Sequence, residues 1–372
     1  MALAEFRVFL NNAAATDAQL DLMREIRVDQ AVGMASEAEL DIDLTLDDQG
    51  YWSGIEDDFV QPFARVRVEV KLGDDGEFVP LIDGPIVAQR FELGAAPGDS
   101  GLLLTVHDDS VLLSQEEKVE LFENMEAHDI ASRLFADAGL TPEVESTPAA
   151  GSQYTRYVVQ RGSAMQLLRE LARRHGRFVY VKPGPAPGQS IGVFAAPQLT
   201  PGATPELLLL GAERNIHKFT VQFDALRPFK AEAGGVKLSD KSILTSSVTA
   251  PDETALGDED VHTVLAPTAV SLLARTREEQ NDLDAATAAA VNLSAFAYTA
   301  NCEIDANDYN TVLSPHGVVS VAGAGGYLSG NYLISRVQHT INDGSYKQNV
   351  TLKRNARAAG SNASGGLLGG VF

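Results

Sequence analysis

The chain has 372 residues, 44% of them hydrophobic, with 32 Gly, 16 Pro and a net charge of −22. That length supplies two or three domains with cores of their own, and the composition is that of a loop-rich globular protein rather than a disordered one. One cysteine, Cys302, excludes an internal disulfide framework; no apolar run approaches the ~18 residues of a membrane-spanning helix, and residues 1–5 lack the basic and apolar regions of a signal peptide.

The acid excess is uneven. Residues 1–120 hold 8 Lys/Arg against 26 Asp/Glu, while the other 252 hold 21 against 25. Such a surface repels nucleic-acid backbone and anionic membrane, which argues against a sequence-specific DNA binder. It is compatible with a wall past which a polyanion slides without sticking.

Residues 37–47 alternate strictly. Ala38, Leu40, Ile42, Leu44 and Leu46 fall on one face, and Glu37, Glu39, Asp41, Asp43 and Asp47 on the other, the pattern of a half-buried strand. Residues 64–72 alternate the same way, with Arg65, Arg67 and Lys71 giving a mostly basic outer face. Pairing of these two strands would oppose acids and bases, at about 0–1 kcal/mol per exposed pair, which sets register more than stability. Gly73-Asp74-Asp75-Gly76 reads as a turn and residues 78–82 as a strand. Asp83-Gly84-Pro85 breaks that strand, and strands resume over 86–93 and 101–106. Strands at this spacing suggest a small barrel or sandwich.

The period then changes. Ile130, Leu134, Phe135 and Ala138 share a helix face, with Gly139 as its C-terminal cap. Ser163-Ala164-Met165-Gln166 is a capping box that opens a second helix, with Leu167, Leu168, Leu171 and Ala172 inward and Gly176 at its end. His175, beside that glycine, would suit the helix dipole as a cation. Strands over 178–181 and 191–194 complete a small α+β unit. From residue 200 the β signal returns, with strands over 207–210 and 216–224 and a polar, turn-rich loop over 240–260. A helix follows Pro267, and its later part places Leu283, Ala286, Ala290, Leu293 and Ala297 at steps of 3 and 4. Residues 298–304 alternate again. Strands over 332–340 and 346–353 flank Asn342-Asp343-Gly344-Ser345, a hairpin turn. The tail, 356–372, is flexible on composition yet ends Leu367-Leu368-Gly369-Gly370-Val371-Phe372.

No constellation for covalent chemistry stands out. There is no His-Glu-x-x-His, Cys-x-x-Cys, Gly-x-Ser-x-Gly or phosphate loop. Gly323-Ala324-Gly325-Gly326 precedes a strand and reads as a turn rather than a phosphate cradle. The seven histidines are dispersed, without the i, i+2 or i, i+4 spacing of a local metal site. His339, in a strand, reads as a packed or pore-wall residue rather than a base, and Cys302 as a small buried apolar residue. Neither Glu116-Glu117 nor Asp57-Asp58 stands apart from ordinary loop acids, so no carboxylate pair is selected for a hydrolase. No catalytic, cofactor-binding or metal-ligating residue is assigned, no cofactor is called for, and the chain reads as non-enzymatic.

The ordered set of segments resembles one family. Its residues are Leu81-Ile82-Asp83-Gly84-Pro85-Ile86; the aspartate-rich stretch from Val106 to Leu113; Asn124 to Ile130 with Gly139-Leu140; Gln160 to His175-Gly176; and Gly330 to His339 with Gly344-Ser345-Tyr346 and Leu352-Lys353-Arg354. Together they resemble the baseplate hub proteins of contractile tails: the phage late-control D family, the hub of large contractile phages, and the N-terminal half of type VI secretion spike proteins. The resemblance implies a mainly β chain in which two tail-tube-like β-barrel domains, residues 1–120 and 199–355, flank an α+β insert at 121–198, with a flexible tail at 356–372. It further implies a homotrimer whose six barrels join a six-fold inner tube to a three-fold spike. Partners would be a second and third copy, the inner tube protein, a separate spike chain and other baseplate proteins. Assembly would take place in the bacterial cytoplasm, within a phage tail or injection particle. Two site expectations accompany it. Leu367, Leu368, Val371 and Phe372 would dock the tail onto the spike, and Glu37, Glu39, Asp41 and Asp43 would line the lumen; an unstructured tail and a solvated outer face are the plainer alternatives. Two other function classes stay open, a tail-associated peptidoglycan hydrolase and a small-ligand β-barrel binding protein.

Overall fold

The computed structural model describes residues 4–358 except 47, 53, 56, 74–75, 97, 148–156, 238–239, 275–278, 307 and 343–344. The expected alternation yields strands over most of that length. The first segment contains β1 (Ala4–Leu10), β2 (Ala13–Ala14), the single-turn helix α1 (Asp17–Leu20), β3 (Met23–Ala31), β4 (Glu37–Asp43), β5 (Arg65–Leu72), β6 (Val79–Glu92) and β7 (Gly101–His107). The insert contains β8 (Glu117–Glu123), α2 (Ala127–Asp137), β9 (Thr141–Val144), β10 (Tyr157–Ser163), α3 (Ala164–Arg174), β11 (Phe178–Pro183) and β12 (Ser190–Ala195). The last segment runs through β13 (Leu207–Leu208), β14 (Phe219–Phe223), β15 (Lys230–Val236), β16 (Ile243–Val248), β17 (Glu259–Asp260), α4 (Val261–Leu265), β18 (Val270–Ala274), α5 (Gln280–Ser294), β19 (Tyr298–Asp305), β20 (Val318–Ala322), β21 (Gly330–Asn342), β22 (Ser345–Arg354) and β23 (Ala356–Arg357).

Eight of these strands form one antiparallel ladder in the order β14-β19-β22-β21-β3-β4-β7-β6. The ladder is a repeat. In each half the strands stand in the order first, second, fourth, third along the chain: β14, β19, β22, β21 and then β3, β4, β7, β6. The third strand of each set is long, 14 residues in β6 and 13 in β21. Each carries a register shift, between Ile86 and Ala88 in β6 and between Ile334 and Arg336 in β21. Beyond the shift each pairs with the strand before it, β6 with β5 and β21 with β20. Such bulges bend a strand, so both long strands pass from one sheet layer to the other. One apolar cluster fills the first half, with Val8, Ile26, Leu40, Val68, Ile82 and Leu104 among others, and takes in Ala306, Ile341 and Tyr346 from the second half; another, with Ile216, Ala300, Tyr332, Val337 and Leu352 among others, lies within the second half.

Several expectations change. β4 pairs with β3 and β7, and β5 with β1 and β6, so the charge ladder expected between 37–47 and 64–72 does not form. β5 has no basic outer face either, because Arg67 and Glu69 are buried. Asp83-Gly84-Pro85 lies inside β6 rather than breaking it. A Cβ on Gly84 would sit 1.8 Å from the His107 carbonyl oxygen, so turn-like composition here serves a close backbone approach. Residues 243–248, expected in a loop, form β16, which pairs with β15; residues 270–274, expected in a helix, form β18, also on β15, and the helix begins only at Gln280. Tertiary pairing there overrides weak local signals. Ala297 lies past the helix end, and Ala356 and Arg357 of the expected tail pair with β17. The hairpin strands β21 and β22 pair through Asn342 and Ser345, with Asp343 and Gly344 between them outside the described residues, as are Asp47 and the Asp74-Asp75 pair.

The insert follows its sequence more closely. Ser163 Oγ accepts from the Gln166 N–H at 3.3 Å and Gln166 Oε1 accepts from the Ser163 N–H at 3.1 Å, completing the capping box of α3. Gly139 and Gly176 take φ of +79° and +61° past the two helices. Ile130, Leu134, Phe135, Leu167, Leu168 and Leu171 share one buried cluster.

Candidate functional site

The largest feature with functional potential is the outward face of the eight-stranded ladder. Alternation buries Ala38, Leu40 and Ile42 of β4 and turns Glu37, Glu39, Asp41 and Asp43 the other way. The structure therefore brings the four sequence-selected carboxylates onto one face. Each has a cationic or imidazole neighbour: Arg24 reaches Asp41 at 2.8 Å and Asp43 at 3.0 Å, Arg27 lies 3.9 Å from Glu39, and His107 Nε2 lies 3.0 Å from Glu37. Arg336 of β21 pairs with Asp29 of β3, and Lys347 of β22 with Glu303 of β19 at 3.1 Å. The face is polar, and the side chains named on it are six carboxylates against four cations, so it stays net acidic.

The two halves meet at β3 and β21, which pair from Ala31–Arg336 to Glu25–Asn342. A polar group is buried at this joint. His339 is fully buried, with Nδ1 2.8 Å from the Tyr346 hydroxyl and Nε2 3.2 Å from Gln30 Oε1, while Gln30 Nε2 donates to the Leu81 carbonyl at 2.6 Å. The amide carbonyl of Gln30 requires a proton on Nε2, so Nδ1 accepts from Tyr346. Burial pushes the His339 pKa down to about 3, so the ring is neutral and structural.

The ladder also has two open edges. Among the described residues β14 pairs only with β19, and residues 88–92 of β6 pair only with β7. The two edges are five residues long each.

A second cluster, missed in the sequence, fixes the insert to the first half. Arg65 makes a bidentate pair with Asp109, both bonds at 2.9 Å, and reaches Asp83 at 2.7 Å. Arg67 bridges Glu69 at 2.6 Å and Asp83 at 3.2 Å and donates to the Gly184 carbonyl at 2.9 Å. The Gly188 N–H donates to Asp83 at 2.8 Å, and the Ser190 hydroxyl to Asp109 at 2.7 Å. With Arg7 on Glu69, three guanidiniums face three carboxylates. The available signal was the acid pair Asp108-Asp109 beside the Arg65–Arg67 alternation, but alternation alone assigned those arginines to solvent. On its other side the insert meets the second half: Tyr180 stacks on His316 with centroids 3.8 Å apart, and Phe178 packs beside it at 4.9 Å. The insert is thus fixed to both halves.

His175 is not the dipole cation expected. Burial and the adjacent Arg174 and Arg177 push its pKa down to about 4, and Arg173 and Arg174 supply the charge in the last turn. Cys302 is buried, and burial pushes its thiol up to about 12, far from a thiolate. Among the described residues no group of three or more His, Cys, Asp or Glu could hold a metal ion, and no helix is long and apolar enough to cross a membrane. Leu367, Leu368, Val371 and Phe372 lie outside the described residues.

The family model described as the Alg8 N-terminal domain matches residues 3–343. The chain belongs to the Alg8 N-terminal domain family. No curated protein sequence matches it significantly. Among solved structures, it is similar to a tail protein from Neisseria meningitidis (TM-score 0.64, 14% identity, 95% of this chain and 96% of that one). It is equally similar to the 43 kDa tail protein of prophage MuSo2 from Shewanella oneidensis (TM-score 0.63, 14% identity, 95% and 98%). An Escherichia coli component of the type VI secretion system, described as structurally similar to T4 tail proteins gp27 and gp5, matches with TM-score 0.55 and 10% identity over 89% of this chain and 73% of that one. At such identities the likeness concerns the fold: a mainly β chain with a small helical insert, built as phage tail proteins are.

Proposed function

We propose that this chain is a structural hub subunit of a contractile tail or injection particle, acting by assembly rather than by catalysis. The observation that carries the reading is the repeated ladder. Within the chain, the last strand of one half, β21, pairs with the first strand of the other, β3. By the same repeat the open edges are a last strand, β6, and a first strand, β14, so a second copy can make between chains the joint already made within one. Eight alternating strands leave β6 and β14 running in opposite directions, and rotation about a common axis then brings them together antiparallel, like the rest of the ladder. Closure satisfies the unpaired edge groups that otherwise invite aggregation.

In this reading residues 1–120 and 199–355 are two tube-like units, three copies present six of them in a ring, and Glu37, Glu39, Asp41 and Asp43 face the channel. The inner tube stacks on one side and a three-fold spike on the other, with Leu367, Leu368, Val371 and Phe372 reaching toward the spike. Native mass spectrometry of the chain co-produced with its tube and spike proteins tests it. A complex holding three copies is expected; a single copy that associates with neither partner would contradict the reading.

A further inference from the structure

The apolar stripe on α5 is only partly covered. Leu283 is buried against Ala233 and Leu244 of the β15–β16 pair, but Ala290 is half-buried and Leu293 is 44% exposed. These two, with Ala286, Phe229 and Leu273, line a groove of about 540 Å³ that also includes Arg173 and Arg227. Arg173 comes from the last turn of α3. Arg227 Nη2 reaches the Leu293 carbonyl, at the end of α5, at 3.4 Å. Among the described residues neither guanidinium pairs with a carboxylate, in a chain with 51 acids and 29 Lys/Arg. A helix C-terminus offsets only about half a unit of charge, so the groove stays positive. Lys353 lies near enough to Arg227 for that charge to lower its pKa further, beyond the larger effect of its own burial.

We infer that this groove is a docking site for an amphipathic segment of a partner protein, with apolar side chains at steps of 3 and 4 and Asp or Glu beside them. Charge complementarity selects this occupant. The apolar floor seats the stripe of a helix against the α5 stripe, and the two guanidiniums offer forked donors to its carboxylates. A basic segment would meet both cations unpaired.

Fluorescence anisotropy on the full chain tests the site with two labelled peptides of about four helical turns. Both carry Leu at steps of 3 and 4, one flanked by Glu and the other by Lys. The Glu peptide is expected to bind about tenfold or more tighter than the Lys peptide, with the difference shrinking as salt is added. R173E with R227E is expected to reverse that order, a gain that misfolding does not give. Leu293→Gln, which removes apolar contact without adding charge, should weaken the Glu peptide while sparing the fold, since that side chain is 44% exposed. Equal binding of the two peptides, binding of neither, or an order unchanged by the double reversal would overturn the proposal. So would decanoate binding the groove more tightly than the Glu peptide, since a free acyl carboxylate would then be the occupant.

Discussion

His339 shows how a single residue couples the two halves to pH. Its folded pKa, about 3, lies below the 6.5 of an exposed imidazole because burial disfavours the charged form. The unfolded chain therefore binds a proton that the native chain does not, between about pH 6.5 and 3. Stability is full above 6.5 and falls as pH drops through that window, by about 1.4 kcal/mol per unit, or about 2 kcal/mol at pH 5 from this residue alone. His175 and His316, each lowered to about 4 by burial, add to the same trend. Denaturant unfolding at pH 7, 6 and 5 should show the loss, and His339→Gln should make the slope shallower by about one proton; an unchanged slope would mean the ring is already protonated in the folded state. Gly84 gives a second residue-scale expectation. Its missing Cβ leaves room for the His107 carbonyl, so Gly84→Ala should cost at least about 2–3 kcal/mol in the same assay. The sequence read His339 as a packed or pore-wall residue without showing its partners, and it read Gly84 as part of a strand break. A lone histidine in a strand carries no mark of its partners, and Asp-Gly-Pro has the composition of a turn whether or not a strand runs through it.

Among the elements, the insert helices were the most legible, because caps act locally. Ser163 and Gln166 sit three residues apart and satisfy each other's backbone donors. Ser163→Ala should accordingly cost about 1 kcal/mol, read as a drop in melting temperature. The β15, β16 and β18 strands were the least legible, since their pairing joins residues 230–236, 243–248 and 270–274 across polar stretches. The polar cluster at the foot of the insert was also hidden. Arg65 and Arg67 alternate as solvent-facing residues do, and only the fold brings Asp83, Asp109 and the 184–190 loop against them. Asp83→Asn leaves Arg65 and Arg67 short of a buried charge partner, and a loss of about 3–5 kcal/mol is expected. Hydrogen exchange should rise first at Gly188, whose N–H bonds Asp83; a uniform rise across the chain would mean that the cluster does not hold the insert locally.

For the whole molecule, alternating strands and a central α+β unit were readable from the sequence, and so was a resemblance to tail proteins that the fold bears out. The repeat of the ladder was not readable. The two halves share an order of strands, long third strands and matched bulges, but those properties reside in hydrogen-bond register. The insert, the best-defined unit by sequence, touches both halves, through the Arg65, Arg67, Asp83 and Asp109 cluster on one side and Tyr180 on His316 on the other. The polar face that spans both halves, and the two edges that bound it, are the parts of the molecule through which assembly would act. The most direct test is a strand-resolving cryo-electron microscopy map of the assembled ring. Residues 88–92 of one copy are expected to pair antiparallel with Phe219–Phe223 of the next, with Glu37, Glu39, Asp41 and Asp43 toward the channel. A ring in which these two edges stay apart, or whose channel is lined by another face of the chain, would contradict it.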